Sequence, residues 1–192
     1  KVRTAGEGGL TLGVATGPMP ALRDQVRRKT RVVQAMHRKL EVCADAQTEH
    51  VLSQVCLGVG KVNHILRVHG HTLSRDTTHL QAFDQASDDA MARLFPGLSP
   101  EALSQATLCA AKGGLGWRRA GDIAIPANLA ALIASKARFH RMAASLARVG
   151  LIEDGLLEAY YAGQLVDVRD AYFNTLHEAE RAKAVEYVAA AL

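Results

Sequence analysis

The residues able to do chemistry fall into a few clusters. His64, His69, His71 and His79 gather around Asp76, and these residue types can ligate a divalent metal. No pair of them forms H-x-x-x-H with an acid between, and no cysteine lies near, so they are expected to be surface histidines. Asp88-Asp89 resembles the carboxylate pair that holds two magnesium ions in nucleotidyl transfer. It lies in a helical stretch between Ala86 and Met91, without an apolar strand beneath it, and is expected to face water. Cys109 would need a histidine beside it to act as a nucleophile, and nothing in the sequence supplies one. Gly113, Gly114 and Gly116 surround Leu115 but lack G-x-G-x-x-G spacing, and no G-K-[ST] follows. They read as a tight turn where two elements cross. No catalytic constellation emerges, and no cofactor, metal or small-molecule substrate is expected.

The cations form a clearer pattern. Arg23, Arg27, Arg31 and Arg38, helped by Arg28 and Lys39, line one stripe of a helix whose single acid is Asp24. One reading is a solvated face, its long side chains lying over the core. The other is a ridge that follows a phosphate backbone, where each neutralised phosphate releases counterions. Residues 1–72 carry eleven Lys or Arg against five Asp or Glu, and residues 73–192 carry twelve against fourteen. The net charge of +4 is therefore concentrated toward the N-terminal end, which suits an acidic partner.

The elements that must position these groups are helical. A chain of 192 residues, 48% apolar and only 5% aromatic, favours helices packed on helices. Leu22, Val26, Val33, Met36 and Leu40 recur at helical spacing beside the cation stripe, with Lys29 in the vacant position. Asp45 is placed to cap a helix carrying Val51, Leu52, Val55 and Cys56. A third helix, with Val62, Ile65 and Leu66 inside, is expected to stop at Gly70. A fourth spans about Asp76 to Leu94, and Ser99-Pro100-Glu101 opens a fifth that runs to about Ala110. Leu115 and Trp117 alternate as a short extended piece. Beyond it, Ala127, Leu129, Ala130, Ala131, Leu132, Ile133 and Ala134 make a small-residue helix suited to the middle of a bundle. The tail holds a short helix from Leu156 to Ala162 and another from about Val168. The expected class is all-α: an irregular multi-helix bundle with at most a short β-hairpin near the N-terminus and the Gly113–Trp117 turn. Residues 1–20 form a glycine- and proline-rich lead-in with a short strand at Leu10–Val14, 21–150 the helical domain, and 151–192 an extension. Cys43, Cys56 and Cys109 are odd in number and read as buried thiols of an intracellular, reducing compartment. No apolar run reaches the roughly 18 residues of a membrane span.

Several short motifs resemble one family. L-G-V-A-T-G at Leu12–Gly17, D-A-Q at Asp45–Gln47, K-V-N-H-I-L-R at Lys61–Arg67, F-D at Phe83-Asp84 and G-G-L-G-W-R-R-A at Gly113–Ala120 occur in order, followed by A-S at Ala134-Ser135. Together, over about Gly9 to Met142, they resemble the region after the catalytic palm in reverse transcriptases of the non-LTR retrotransposon type, as in algal and plant genomes. The resemblance implies an α-helical thumb, led into by a primer-grip-like hairpin, that cradles a template–primer duplex. Leu12 and Gly13 would then lie near the primer, and Lys61 and Arg67 would reach phosphate. Fingers, palm and metal-binding aspartates are missing from the match, so polymerisation is not expected of this chain. Two functions are therefore expected. One is a nucleic-acid-binding thumb-like module acting through its arginine stripe. The other is a structural subunit, or an element-derived piece, that packs into a larger protein complex.

Overall fold

The computed structural model describes residues 9–11, 13–43 and 45–191. An antiparallel hairpin of β1 (Gly9–Thr11) and β2 (Val14–Thr16) opens the chain. The helices are α1 (Met19–Leu40), α2 (Ala46–Leu52), α3 (Asn63–Ser74), α4 (Thr78–Leu94), α5 (Pro100–Ala106), α6 (Ala120–Arg148), α7 (Leu156–Asn174) and α8 (Glu178–Ala191). The class is all-α as expected, and among the described residues the only strands are those of the hairpin. Two compact units emerge, Lys1–Ala124 and Ile125–Leu192, where the sequence-based grouping counts α6 with the helices before it.

Local sequence explains where the helices of the first unit begin. Pro20 sits in the first turn of α1, where its missing N–H has no helical partner to lose. Asp45 caps α2 by accepting from the Gln47 and Thr48 amides at 3.3 and 3.0 Å, and Ser99 caps α5 from the Ala102 amide at 3.2 Å. The core joins Leu22, Val26 and Val33 of α1 to Val62, Ile65, Leu66 and Leu73 in and before α3, and to Leu80, Phe83, Ala90 and Met91 of α4. Helix α4 is the hub, packing on α1, α2 and α3.

Several expected faces shift. The buried stripe of α1 passes through Thr30 and His37, leaving Met36 at 39% exposure and Leu40 half-buried. His37 can take the inner position because its Nδ1 lies 3.4 Å from the buried Ser53 hydroxyl. After α2 the chain winds a π turn over Ser53–Leu57. Glu49 of α2 and Ser53 and Leu57 of this turn are buried, while Val51 of α2 and Val55 and Cys56 of the turn are exposed. Helix α3 does not stop at Gly70. It continues to Ser74 past a break at His69 (φ −127°, ψ 15°), whose Nε2 lies 2.9 Å from the Ala15 carbonyl. His69 is thus a half-buried tie to the hairpin and not a surface histidine. Cys109 is also exposed and Cys43 half-exposed, so the thiols are not buried.

The glycine cluster does make a tight crossing. Helix α5 ends at Ala106, before the expected Ala110, and its terminal carbonyls need donors. Leu115 and Trp117 donate their amides to the Ala106 carbonyl at 3.1 and 3.0 Å, and Gly116 donates to that of Leu108 at 2.7 Å. The segment lies so close that a Cβ on Gly114 would fall 2.1 Å from the Leu108 oxygen. Trp117 is thereby buried against Met91 and Ala106, while Leu115 is 42% exposed, so the two do not share one apolar face. Next, the buried Asp84 of α4 receives the start of α6: its Oδ1 accepts from the Ala120 amide at 2.6 Å and its Oδ2 from the Gly121 amide at 2.9 Å.

In the second unit Leu129, Val168 and Val188 form the core, with Ile125, Leu132, Ile133, Leu165, Tyr172 and Phe173 partly buried around them. The Tyr161 hydroxyl donates to the Leu132 carbonyl, and Phe139 stacks on Tyr161 with ring centroids 4.8 Å apart. Ala130 and Ala134 are exposed while Ala127 and Ala131 are half-buried, so the small residues of α6 do not all face a neighbouring helix. Leu156 to Asn174 forms one long helix where two shorter ones were expected.

Leu129→Ala empties a core position and should cost on the order of 2–5 kcal/mol in chemical denaturation; parent-like stability would remove Leu129 from the core. A second expectation concerns pH. Desolvation pushes the Asp84 carboxyl up to about 6 from an ordinary 3.8, against the two amide donors that favour its charged form. Between those values the folded state binds more protons than the unfolded one, so this group's contribution falls as pH rises and levels off above about 6. Stability of the parent relative to Asp84→Asn should therefore decline from pH 4 to pH 6, and a constant difference would contradict it.

Candidate nucleic-acid interface

The cation stripe lies on α1. At about 100° per residue, Arg27, Arg31 and Arg38 fall together, with Arg28 and Lys39 beside them, on the side of the helix away from Leu22, Val26 and Val33. All five are exposed. Arg27 to Arg38 covers about 16 Å of helix axis at ~1.5 Å per residue. Arg27 makes an exposed contact with Asp24 at 3.3 Å, of a kind worth roughly 0–1 kcal/mol. Arg38 donates from Nε to the Gln34 carbonyl at 3.4 Å, a bond that does not engage its Nη atoms. Arg28, Arg31 and Lys39 make no ion pair among the described residues.

Arg23 is different. It reaches Asp76, just before α4, at 2.6 Å, so it serves as a tie from α1 to the start of the hub helix. No local signal marks this pairing, since the partners are 53 positions apart in sequence. Lys61 closes a 3-10 turn (Val59–Lys61) and is half-buried, while Arg67 is exposed on α3. Leu12 lies outside the described residues. Gly13 occupies the hairpin turn with φ 82°, and its carbonyl accepts from Gln25 Nε2 of α1. Gln25 Oε1 also accepts from the Ala15 amide at 2.7 Å. The hairpin is therefore fastened to the helix that carries the cations.

Other charged groups are engaged internally. Arg93 bridges Glu41 at 2.9 Å and the buried Glu49. Asp88 does not face water: its side chain is 14% exposed and pairs with Arg119 at 2.9 Å. Its neighbour Asp89 instead accepts from Gln85, so the two aspartates serve different partners. His37, desolvated and close to the Arg93 guanidinium, is held below its ordinary pKa. Among the described residues no three His, Cys, Asp or Glu side chains come together as a metal site. A cleft of about 570 Å³ opens beside the glycine crossing, lined in part by Asn63, Ser87, Thr107, Cys109 and Arg118. Among the described residues no helix is long and apolar enough to cross a membrane.

A scan against protein-family models, a search of curated proteins and a search of solved structures each return no match.

Proposed function

We propose that the chain is a non-catalytic helical module that binds the backbone of a nucleic-acid duplex through the solvent face of α1. The observation that carries this reading is the distribution of partners. Arg23, Arg93 and Arg119 are spent on carboxylates that tie helices together. Arg27, Arg28, Arg31, Arg38 and Lys39 instead stand exposed on one helix, with Asp24 its one acid. Such a face neutralises phosphates without reading bases. Lys61 and Arg67 would add contacts from the turn before α3 and from α3. The resemblance of Leu12–Gly17, Lys61–Arg67 and Gly113–Ala120 to the post-palm region of retrotransposon reverse transcriptases supports the same reading, since that region cradles a duplex.

A second reading, a structural subunit of a larger protein assembly, is favoured by apolar side chains left in water. Val42 and Val55 of the first unit are 86% and 74% exposed, and Tyr187 and Leu151 of the second are 77% and 71% exposed. Such side chains are common singly and mark an interface when contiguous.

Replacing Arg27, Arg31 and Arg38 with Gln separates the two. The variant should fold as the parent does, because these positions lie off the buried face. Its affinity should fall alike for duplexes of unrelated sequence, with the slope of log K against log salt shallower by roughly 0.9 per lost phosphate contact. Unchanged duplex binding would reduce the stripe to a solvated face, and purification within a stable protein complex would favour the scaffold.

A further inference from the structure

The second unit carries a cationic face of its own. No Asp or Glu occurs between Asp122 and Glu153, while Lys136, Arg138, Arg141 and Arg148 all fall in that interval. The interval is almost entirely α6, a single helix from Ala120 to Arg148. The buried and half-buried positions Leu129, Leu132, Phe139 and Ala143 define the inner side of its second-unit part. Lys136, half-buried, belongs to that inner side. At about 100° per residue, Arg138, Arg141 and Arg148 project from the other side, and all three are exposed. Among the described residues none of the three makes an ion pair with a carboxylate.

The surroundings of these arginines narrow the partner. Ala130, Ala134, Ala137, Met142, Ala144 and Ser145 are the exposed residues between and before them. Apart from Met142 these side chains are small, so a rod-like polyanion can approach the helix closely. The cations are arginines, whose planar guanidinium matches phosphate oxygens in a bidentate fashion. From Arg138 to Arg148 the axis advances about 15 Å at ~1.5 Å per residue. A duplex presents one charge per ~1.7 Å of its own axis, so each guanidinium has a phosphate within reach along that length. We infer that the outer face of α6 is a second, independent contact for a nucleic-acid backbone, formed by Arg138, Arg141 and Arg148. It does not depend on α1, because the residues, the helix and the structural unit are all different.

The test uses the full chain and two labelled duplexes of unrelated sequence, titrated from 50 to 200 mM salt. Four proteins are compared: the parent, Arg138→Gln/Arg141→Gln/Arg148→Gln, the same three positions changed to Lys, and Arg27→Gln/Arg31→Gln/Arg38→Gln. Far-ultraviolet circular dichroism checks that each is folded. The α6 glutamine variant should bind both duplexes more weakly by the same factor, with a salt slope shallower by roughly two to three units. The lysine variant should keep the parent slope, since charge is retained. An α6 glutamine variant with parent affinity and slope overturns the inference. So does a variant that keeps duplex binding but loses binding to poly-glutamate or to anionic vesicles, since the face would then serve an acidic protein or a membrane. Loss in the α6 variant with none in the α1 variant upholds this face and sinks the α1 reading, and the reverse result does the opposite.

Discussion

The first unit depends on a carboxylate buried between two elements. Asp84 projects from α4, which packs on α1, α2 and α3, and its two oxygens take the first free amides of α6. A helix N-terminus carries unsatisfied donors and a partial positive charge, so a carboxylate there satisfies both at once. Side-chain caps are more often local, as with Asp45 and Ser99 here. This one comes from 36 positions away in sequence, and it fixes where the glycine crossing must deliver the chain. Arg119 on Asp88, one turn further along α4, repeats the attachment with opposite charges. The arrangement is under tension, because burial disfavours the very charge that the two amides select.

Charge elsewhere divides by the same logic. A guanidinium placed between packed elements must find a carboxylate, because an unpaired buried charge is costly. Arg93 with Glu49, and Arg119 with Asp88, meet that requirement. An arginine on an outer helix face has no such need, and its charge remains available to a polyanion. The basic balance of residues 1–72 is thus not uniform in meaning: Arg23 holds α1 to the segment before α4, while Arg28 and Arg31 face water.

Features written over short distances were legible in the sequence. The Asp45 and Ser99 caps, the span of α4 and the crossing at Gly113–Gly116 come from spacing and from glycine's permissiveness. What depended on distant partners was not legible. Nothing near Met36 shows that His37 will be held by Ser53, and nothing near Val55 announces the π turn in which it lies exposed. The histidine cluster misled for the same reason, since His69 is held by a carbonyl of the hairpin 54 positions earlier. For the interface, the stripe on α1 was visible as periodicity, but the commitment of Arg23 to Asp76 was not. The cationic face of α6 was visible only as a missing residue type, an interval without acids, which a motif search passes over.

That exposed cations of this chain meet nucleic-acid phosphates is tested most directly by the salt dependence of duplex binding by the unmodified chain. Log K should fall linearly with log salt, with a slope of at least about −3 if Arg27, Arg31 and Arg38 each neutralise one phosphate, and the slope should be the same for unrelated sequences. No detectable binding at 50 mM salt, or binding that is insensitive to salt, would contradict it.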